Sequence, residues 1–351
     1  MTSRLQNLRA SFETHKIDAM IVSRDVNIRY LTGFPASESW LMVTAKKAYY
    51  VTDFRYVLEA KKGLPRGVEL VQYKTSLGEA VFDLAKKSRI KRLGFESSHI
   101  SFDQFQSLSR IIPKSIEFLP KKGLIEQFRM IKDSGEIALM RQALKIHFEA
   151  LKRLKRWVKP GVTEMDVLFK LEDFVRSQNA GFSFAPIIAS GPNGALPHAH
   201  PSRRVIKNHE PVLVDTGIDW KGYKSDLTRM FFLGRMPALV QEMNDWVKEA
   251  QSLAVAAIKP GAKAAEIDRV ARGFLAKHKL DQYFGHSLGH GVGLDIHEEP
   301  RLSGKSAATL QAGMVVTVEP AVYLPGKFGI RLEEMVLVTE KGCEVLSEHY
   351  H

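Results

Sequence analysis

A single cysteine, Cys343, in a chain of 351 residues excludes an intramolecular disulfide and any zinc site built on thiolates. Nothing around it would lower a thiol pKa, so it reads as an inert core or edge residue. No uninterrupted apolar run is long enough to cross a bilayer. The opening stretch MTSRLQNLRASFETH alternates charge with apolar side chains at helical spacing and lacks the apolar centre of a signal peptide. Cytoplasmic residence is therefore the default expectation. Nothing in residues 1–125 looks like a phosphate-cradling glycine loop. Acidic residues are the minority charge, 39 Asp and Glu against 51 Lys and Arg, for a net +12, of which residues 1–130 carry +9. The basic side chains come as scattered pairs (Lys46-Lys47, Lys61-Lys62, Lys86-Lys87, Lys121-Lys122) without interleaved aromatics or a nucleic-acid-binding motif. A solvated basic face explains them better than nucleic-acid binding.

What is present is the composition of an ordinary soluble globular protein, 44% hydrophobic and 26% charged, at a length that suits about two domains. Residues 1–125 read as a small α/β domain. Leu5, Leu8 and Phe12 share a helix face, DAMIVS (18–23) is a short strand, and residues 39–53 form a hairpin turning at Lys46-Lys47. Helices are expected near 76–87 and 102–112, with the strand RLGF (92–95) between them. NIRYLTGF (27–34) reads as a core-packing loop. The junction falls near 123–133, leaving 126–351 as a second domain, and Asp133-Ser134 caps a long helix running towards Trp157.

The second domain contains a repeat. A helix ends in Lys159-Pro160-Gly161 and Thr163-Glu-Met-Asp166 opens another with a capping-box pattern; later, a helix over roughly 237–258 ends in Lys259-Pro260-Gly261 before AAEIDRVARGFLAKH. Each helix pair is followed by a His-x-x-Pro, at His198 and at His297. Each then has an apolar strand ending in a carboxylate, PVLVD215 and VVTVE319, and a return strand carrying another, SD226L and RLE333. In the first copy VLVDTG and YKSDLTR form a hairpin whose turn runs through Asp219–Gly222. Buried carboxylates must be paired, protonated or bound to a cation. If the two copies pack face to face, four of them meet at one place, and a charge near −4 requires metal. All-oxygen donors suit Mg²⁺ or Ca²⁺. The histidines of GHSLGHGVG (285–293) shift the preference to Mn²⁺, Fe²⁺, Co²⁺ or Zn²⁺. The surplus of carboxylates favours two ions, a site type that generates a bridging hydroxide and clamps the substrate oxygens.

VLVDTGIDWKGYKSDLTR, HSLGHGVGLDIHEEP, GMVVTVEPAVYLPGKFGIRLEE and SGPNGALPHAHP resemble the motifs of the pita-bread metallopeptidases, above all Xaa-Pro dipeptidases (prolidases) and Xaa-Pro aminopeptidases. NIRYLTGF and RMIKDSGEI resemble their creatinase-like N-terminal domain and linker. The resemblance implies an α/β (α+β) chain: a C-terminal pita-bread fold with pseudo-twofold duplication after a smaller creatinase-like domain. It implies hydrolysis of the Xaa-Pro bond of dipeptides, or at the N-terminus of short peptides. The implied metal ligands are Asp215, Asp226, His290, Glu319 and Glu333, holding two divalent ions. Manganese is the first choice, with cobalt, zinc or iron as the other candidates. Asp226 and Glu333 would bridge, and Glu319 would shuttle the proton. His198 and His297 match the substrate-side histidines, and His286 a further histidine of the motif. Arg331 is expected to hold the Glu333 carboxylate in place. A homodimer is implied by resemblance alone.

Other chemistry on this fold, such as a methionine aminopeptidase, fits less well because those enzymes usually lack the extra N-terminal domain. Metal-free creatinase chemistry does not keep the five ligands. A peptide- or nucleic-acid-binding scaffold rests only on the basic first domain. His200 reads as a loop histidine and Asp219 as a turn former.

Overall fold

The computed structural model describes residues 3–347, and the chain divides into one compact unit ending at Arg129 and another beginning at Met130. In the first, helices α1 (Ser3–Ala10), α2 (Asp25–Thr32), α3 (Val57–Gly63), α4 (Leu77–Lys87), α5 (Phe102–Ile111) and α6 (Leu124–Met130) accompany six strands. These are β1 (Ala19–Val22), β2 (Trp40–Thr44), β3 (Ala48–Thr52), β4 (Val68–Gln72), β5 (Arg92–Glu96) and β6 (Glu117–Lys121), in the order β4-β3-β2-β1-β5-β6. Pairing is mixed: β1 runs antiparallel to β2 and parallel to β5. All of β1 and β3 is buried, which is why AMIV and AYYVT carry no polar alternation.

One expectation changes here. Residues 27–34 do pack into the core, but as helix α2, ended by Gly33 in the left-handed conformation (φ 73°), not as a loop. A short apolar run does not distinguish the two by itself. The unit ends at Arg129, within the junction expected at 123–133, and there α6 is tied to α2. Asn27 Nδ2 donates to Glu126 Oε1 at 2.9 Å, Tyr30 Oη to the Phe128 carbonyl at 3.1 Å, and Arg129 Nη1 to Asn27 Oδ1 at 2.7 Å.

The second unit is built twice. Its first half has α7 (Ser134–Trp157), opened by a capping box between Asp133 and Glu136, and α8 (Glu164–Ser177), opened by one between Thr163 and Asp166. Strands β7 (Gly181–Phe182), β8 (Ile187–Ser190), β9 (Pro211–Thr216), β10 (Ile218–Trp220), β11 (Tyr223–Lys224) and β12 (Leu227–Phe232) follow. The second half has α9 (Ala238–Ala256) and α10 (Ala264–Lys277), then β13 (Gly289–Gly291), β14 (Glu298–Leu302), β15 (Val315–Val318), β16 (Ala321–Leu324), β17 (Phe328–Arg331), β18 (Glu334–Val338) and β19 (Cys343–Val345). In each half a central buried strand pairs antiparallel on both sides, β9 with β8 and β12, β15 with β13 and β18.

The repeat extends to individual hydrogen bonds. Gly161 N donates to Ile206 O and Gly261 N to Leu310 O; Glu164 N donates to Arg204 O and Ala264 N to Ala308 O. The hairpin read from the sequence is bent into two ladders: β9 pairs with β12, β10 with β11. Its turn, Lys221-Gly222, has positive φ at both residues (51° and 84°), as a two-residue type I′ turn requires.

His147 on α7 joins those ladders where they part. Its Nε2 lies 2.7 Å from Thr216 Oγ1 and its Nδ1 3.0 Å from Ser225 Oγ, with all three residues buried. Burial, helped by the Arg229 charge, pushes its pKa down to about 3, so the ring is neutral. Replacing His147 with Leu strands the buried Thr216 hydroxyl and leaves Ser225 Oγ with only its bond from Ile218 N, at a cost of about 1–3 kcal/mol. We expect a lower denaturant midpoint with an unchanged m-value.

Candidate metal centre

Each carboxylate of interest sits at a strand end for a local reason. Asp215 is the penultimate residue of β9 and faces Thr228 of β12 in register. Asp226 immediately precedes β12 and Glu333 immediately precedes β18, equivalent places in the two halves, while Glu319 directly follows β15. His290 is the middle of β13. Adding a Cβ at Gly289 would bring it within 2.0 Å of the Thr317 carbonyl, and at Gly291 within 2.3 Å of the Glu299 carbonyl. The glycines flanking His290 therefore permit strand contacts that no side chain would allow. Thr317 couples His290 to Glu319: its Oγ1 accepts from His290 N at 3.1 Å and donates to Glu319 Oε1 at 3.3 Å. Helix α10 fixes the approach to β13, because Arg272 donates to the carbonyls of Phe284 and His286 (2.7 and 2.9 Å) and Asp268 accepts from Leu288 N at 3.2 Å.

Ligand-capable atoms of Asp226, His290 and Glu333 all lie within 4.8 Å of one another, and all three residues are buried. His290 Nε2 is 3.6 Å from Asp226 Oδ2 and 3.4 Å from Glu319 Oε1. His290 Nδ1 lies 3.0 Å from the Gly291 carbonyl, which can only accept. The proton therefore sits on Nδ1, and the Nε2 lone pair faces the carboxylates, the tautomer a metal ligand needs. Burial pushes the His290 pKa down to about 4.

The carboxylates move the other way. Burial raises Asp226, and repulsion from Glu333, Asp215 and Glu319 raises it further; Glu333 behaves likewise, and Glu319 is pushed up to about 8, first by burial. Asp215 is also raised by burial, with Arg331 pulling against it.

Arg331 corrects an expectation. Its Nη2 donates to Asp215 Oδ2 at 2.5 Å, Nη1 to Tyr323 Oη at 2.6 Å and to the Pro197 carbonyl at 3.1 Å, and Nε to Thr228 Oγ1 at 3.0 Å. It does not hold the Glu333 carboxylate. It reaches Glu333 only through Thr228, whose Oγ1 donates to Glu333 Oε2 at 2.9 Å. Arg331 ends β17, whereas Glu333 lies past the strand end, so the two do not share a strand face. The other oxygen of Asp215, Oδ1, is buried with no hydrogen-bond donor among the described residues. An orphaned carboxylate oxygen, two more buried carboxylates, the half-buried Glu319 and a correctly tautomerised histidine fit divalent metal ions.

The five expected ligands line one cavity of about 510 Å³ together with His198, His286, His297 and Arg331. His297 packs edge-on against His290, ring centroids 4.5 Å apart, with its pKa lowered by burial and then by Arg301. His286 lies with both nitrogens engaged: Nδ1–H to the Ser287 carbonyl at 2.8 Å, and Nε2 accepting from Tyr323 Oη at 3.0 Å. Burial pushes its pKa down to about 4. His200, read as a loop histidine without a role, lines the same cavity. Sequence reasoning missed Tyr323 and His147. The only available signal for His147 was a polar residue on the buried Met140–Leu144–Leu151 face of α7.

A buried acidic centre in a duplicated α/β unit defines a metal-binding hydrolase site. The chain belongs to the metallopeptidases: the profile described as "Metallopeptidase family M24" matches residues 138–340, and "Creatinase/Prolidase N-terminal domain" matches residues 4–131. It is an enzyme with the pita-bread fold and a creatinase-like N-terminal domain, and it uses divalent metal ions. Uncharacterized peptidase YqhT of Bacillus subtilis is 39% identical, over 98% of this chain and 97% of that protein. An Xaa-Pro dipeptidase from Bacillus anthracis superposes with a TM-score of 0.94 at 36% identity, covering 98% of this chain and 97% of that one. An X-Pro aminopeptidase from Thermotoga maritima gives 0.89 at 33%, covering 96% and 97%. No helix among the described residues is long and apolar enough to cross a membrane.

The raised carboxylates set a pH dependence. Glu319 holds its proton to about pH 8 in the metal-free fold, against 4.5 for an ordinary glutamate. Between those values the folded state binds more protons than the unfolded chain, so stability falls as pH rises through the window. The neutral His147, His286 and His290 act in the opposite sense up to about pH 6.5, so the melting temperature of chelator-treated protein should drop between about pH 6.5 and 8, and divalent cation should abolish the drop. A flat or rising profile without metal would contradict this assignment.

Proposed function

We propose that this chain is a two-metal exopeptidase that hydrolyses the peptide bond preceding proline, in Xaa-Pro dipeptides or at the N-terminus of short peptides. The observation that carries the reading is the convergence of Asp215, Asp226, Glu319, Glu333 and His290 on one cavity, with Asp215 Oδ1 left for a cation. The names of the related dipeptidase and aminopeptidase support proline specificity. At about 510 Å³ the cavity suits a dipeptide or tripeptide, and Phe184, Ile187 and Ile296 offer an apolar wall for a pyrrolidine ring.

Asp215, Asp226, His290, Glu319 and Glu333 would hold the ions, with carboxylates contributed by both halves. When bound, the ions lower the pKa of the attacking water and polarise the scissile carbonyl. Glu319 takes the proton from that water on a carboxylate oxygen and passes it to the departing proline nitrogen. His198 and His297 donate hydrogen bonds to the carbonyl oxygen as negative charge builds on it. Arg331 opposes the effect of burial on Asp215 and orients its carboxylate through the 2.5 Å contact. An oxygen-rich shell with one imidazole makes manganese the preferred metal, and the family resemblance implies a homodimer as the active form. Metal analysis of protein purified without chelator and gel filtration check those two points.

Protein loaded with Mn²⁺ should cleave Ala-Pro or an Ala-Pro-Xaa tripeptide, and leave Ala-Ala largely intact. Folded, metal-loaded protein that turns over neither proline substrate would sink the proposal. Two variants should separate the roles. Asp226→Ala loses bound metal and activity together, whereas His198→Ala retains metal while kcat falls about 10²–10³-fold, as for loss of one oxyanion donor. Metal titration alongside steady-state kinetics distinguishes them.

A further inference from the structure

Glu164, the first residue of α8, is fully buried yet does not line the metal cavity. Its carboxylate accepts hydrogen bonds from five donors. Oε1 takes Ser190 N and Oγ at 2.7 and 2.8 Å, and Oε2 takes Ser202 N and Oγ at 3.0 and 2.7 Å. Asn193 Nδ2 lies across both oxygens at 3.2 and 3.1 Å. Arg204 supplies positive charge one step away, donating to Ser190 Oγ at 2.5 Å while paired with Glu210 at 2.7 Å. All three partners belong to the single segment running from Ser190 to Ser202, and His198 is in that segment, on the cavity wall. One further anchor lies next to His198: the Pro197 carbonyl accepts from Arg331 Nη1 at 3.1 Å.

The fold does not require an acid at this position. The duplicated half starts α10 with the same main-chain bond, Ala264 N to Ala308 O, but carries a methyl group where α8 carries the carboxylate. Only the half that must present the SGPNGALPHAHP loop has the clamp. Burying a carboxyl group is costly unless it is fully hydrogen-bonded, and here every side-chain bond goes to the His198 segment.

We propose that Glu164 is a positioning residue for His198, closing both ends of the 190–202 segment so that the imidazole is held ready over the cavity. This rests on the reading of His198 as a hydrogen-bond donor to the reacting carbonyl. A misplacement near 1 Å can cost about 10²-fold in rate.

The test is a double-mutant cycle on Mn²⁺-loaded protein with Ala-Pro, using Glu164→Gln, His198→Ala and the pair. Glu164→Gln should lower kcat about 10- to 100-fold with metal affinity unchanged. In the His198→Ala background it should cost less than about 3-fold, because the residue it acts through is already gone. Equal losses in both backgrounds, or a parallel loss of metal affinity, would overturn the proposal. If Glu164→Gln does not fold, Asn193→Ala and Ser202→Ala each remove one donor, and the same non-additivity with His198→Ala is expected at a smaller size. Amide exchange gives a readout independent of turnover: residues 191–201 should exchange at least about 10-fold faster in Glu164→Gln, with β9 unaffected. Wild-type protein without proline-specific turnover defeats the functional reading, while the exchange result still decides whether the clamp exists. Unchanged exchange defeats the clamp whatever the activity.

Discussion

Mutual repulsion among buried carboxylates is the constraint on which the rest of the catalytic unit depends. Two unit charges 4 Å apart interact by about 4 kcal/mol at an effective dielectric of 20, and four carboxylates share this site. Within the chain, Arg331 answers part of that charge by binding Asp215. The pKa values of Asp226, Glu319 and Glu333 all rise, so without metal the site is held together partly by protons. Proton and metal compete for the same oxygens, and catalytic competence at neutral pH depends on which is bound.

Duplication explains how a fold comes to tolerate such a centre. Each half supplies one carboxylate at the end of a central buried strand and one just before the returning strand, so neither half alone gathers enough negative charge to require an ion. The symmetry is incomplete where chemistry differs. His290 is set in a glycine-flanked strand of the second half, where the first half has β8. The charged clamp at Glu164 exists only in the first. Arg331 crosses from β17 to Asp215 on β9, so the second half's cation steadies the first half's carboxylate.

Much of this was legible from local pattern. The buried strands ending in Asp215 and Glu319, the capping boxes at Asp133 and Thr163, and the paired Lys-Pro-Gly stops are short-range signals, and the helices and strands stand where those signals place them. Residues 27–34 were less legible because a short apolar run is compatible with loop, strand or helix until neighbours choose. Helix α6, at the junction expected near 123–133, is held by Asn27 and Tyr30, partners about a hundred residues away in the chain.

The order and identity of the four cavity carboxylates were legible in the sequence alone, because duplication repeats them at matching places on matching elements, whereas His290 has no counterpart in the first half. Which side chain supports which ligand was decided only by the tertiary structure. Arg331 lies two residues from Glu333 but binds Asp215, 116 residues away, and His147 joins Thr216 to Ser225 from a separate helix. Spacing along a strand specifies the face a residue occupies. A hydrogen bond between elements depends on how those elements pack, and no local pattern encodes that packing.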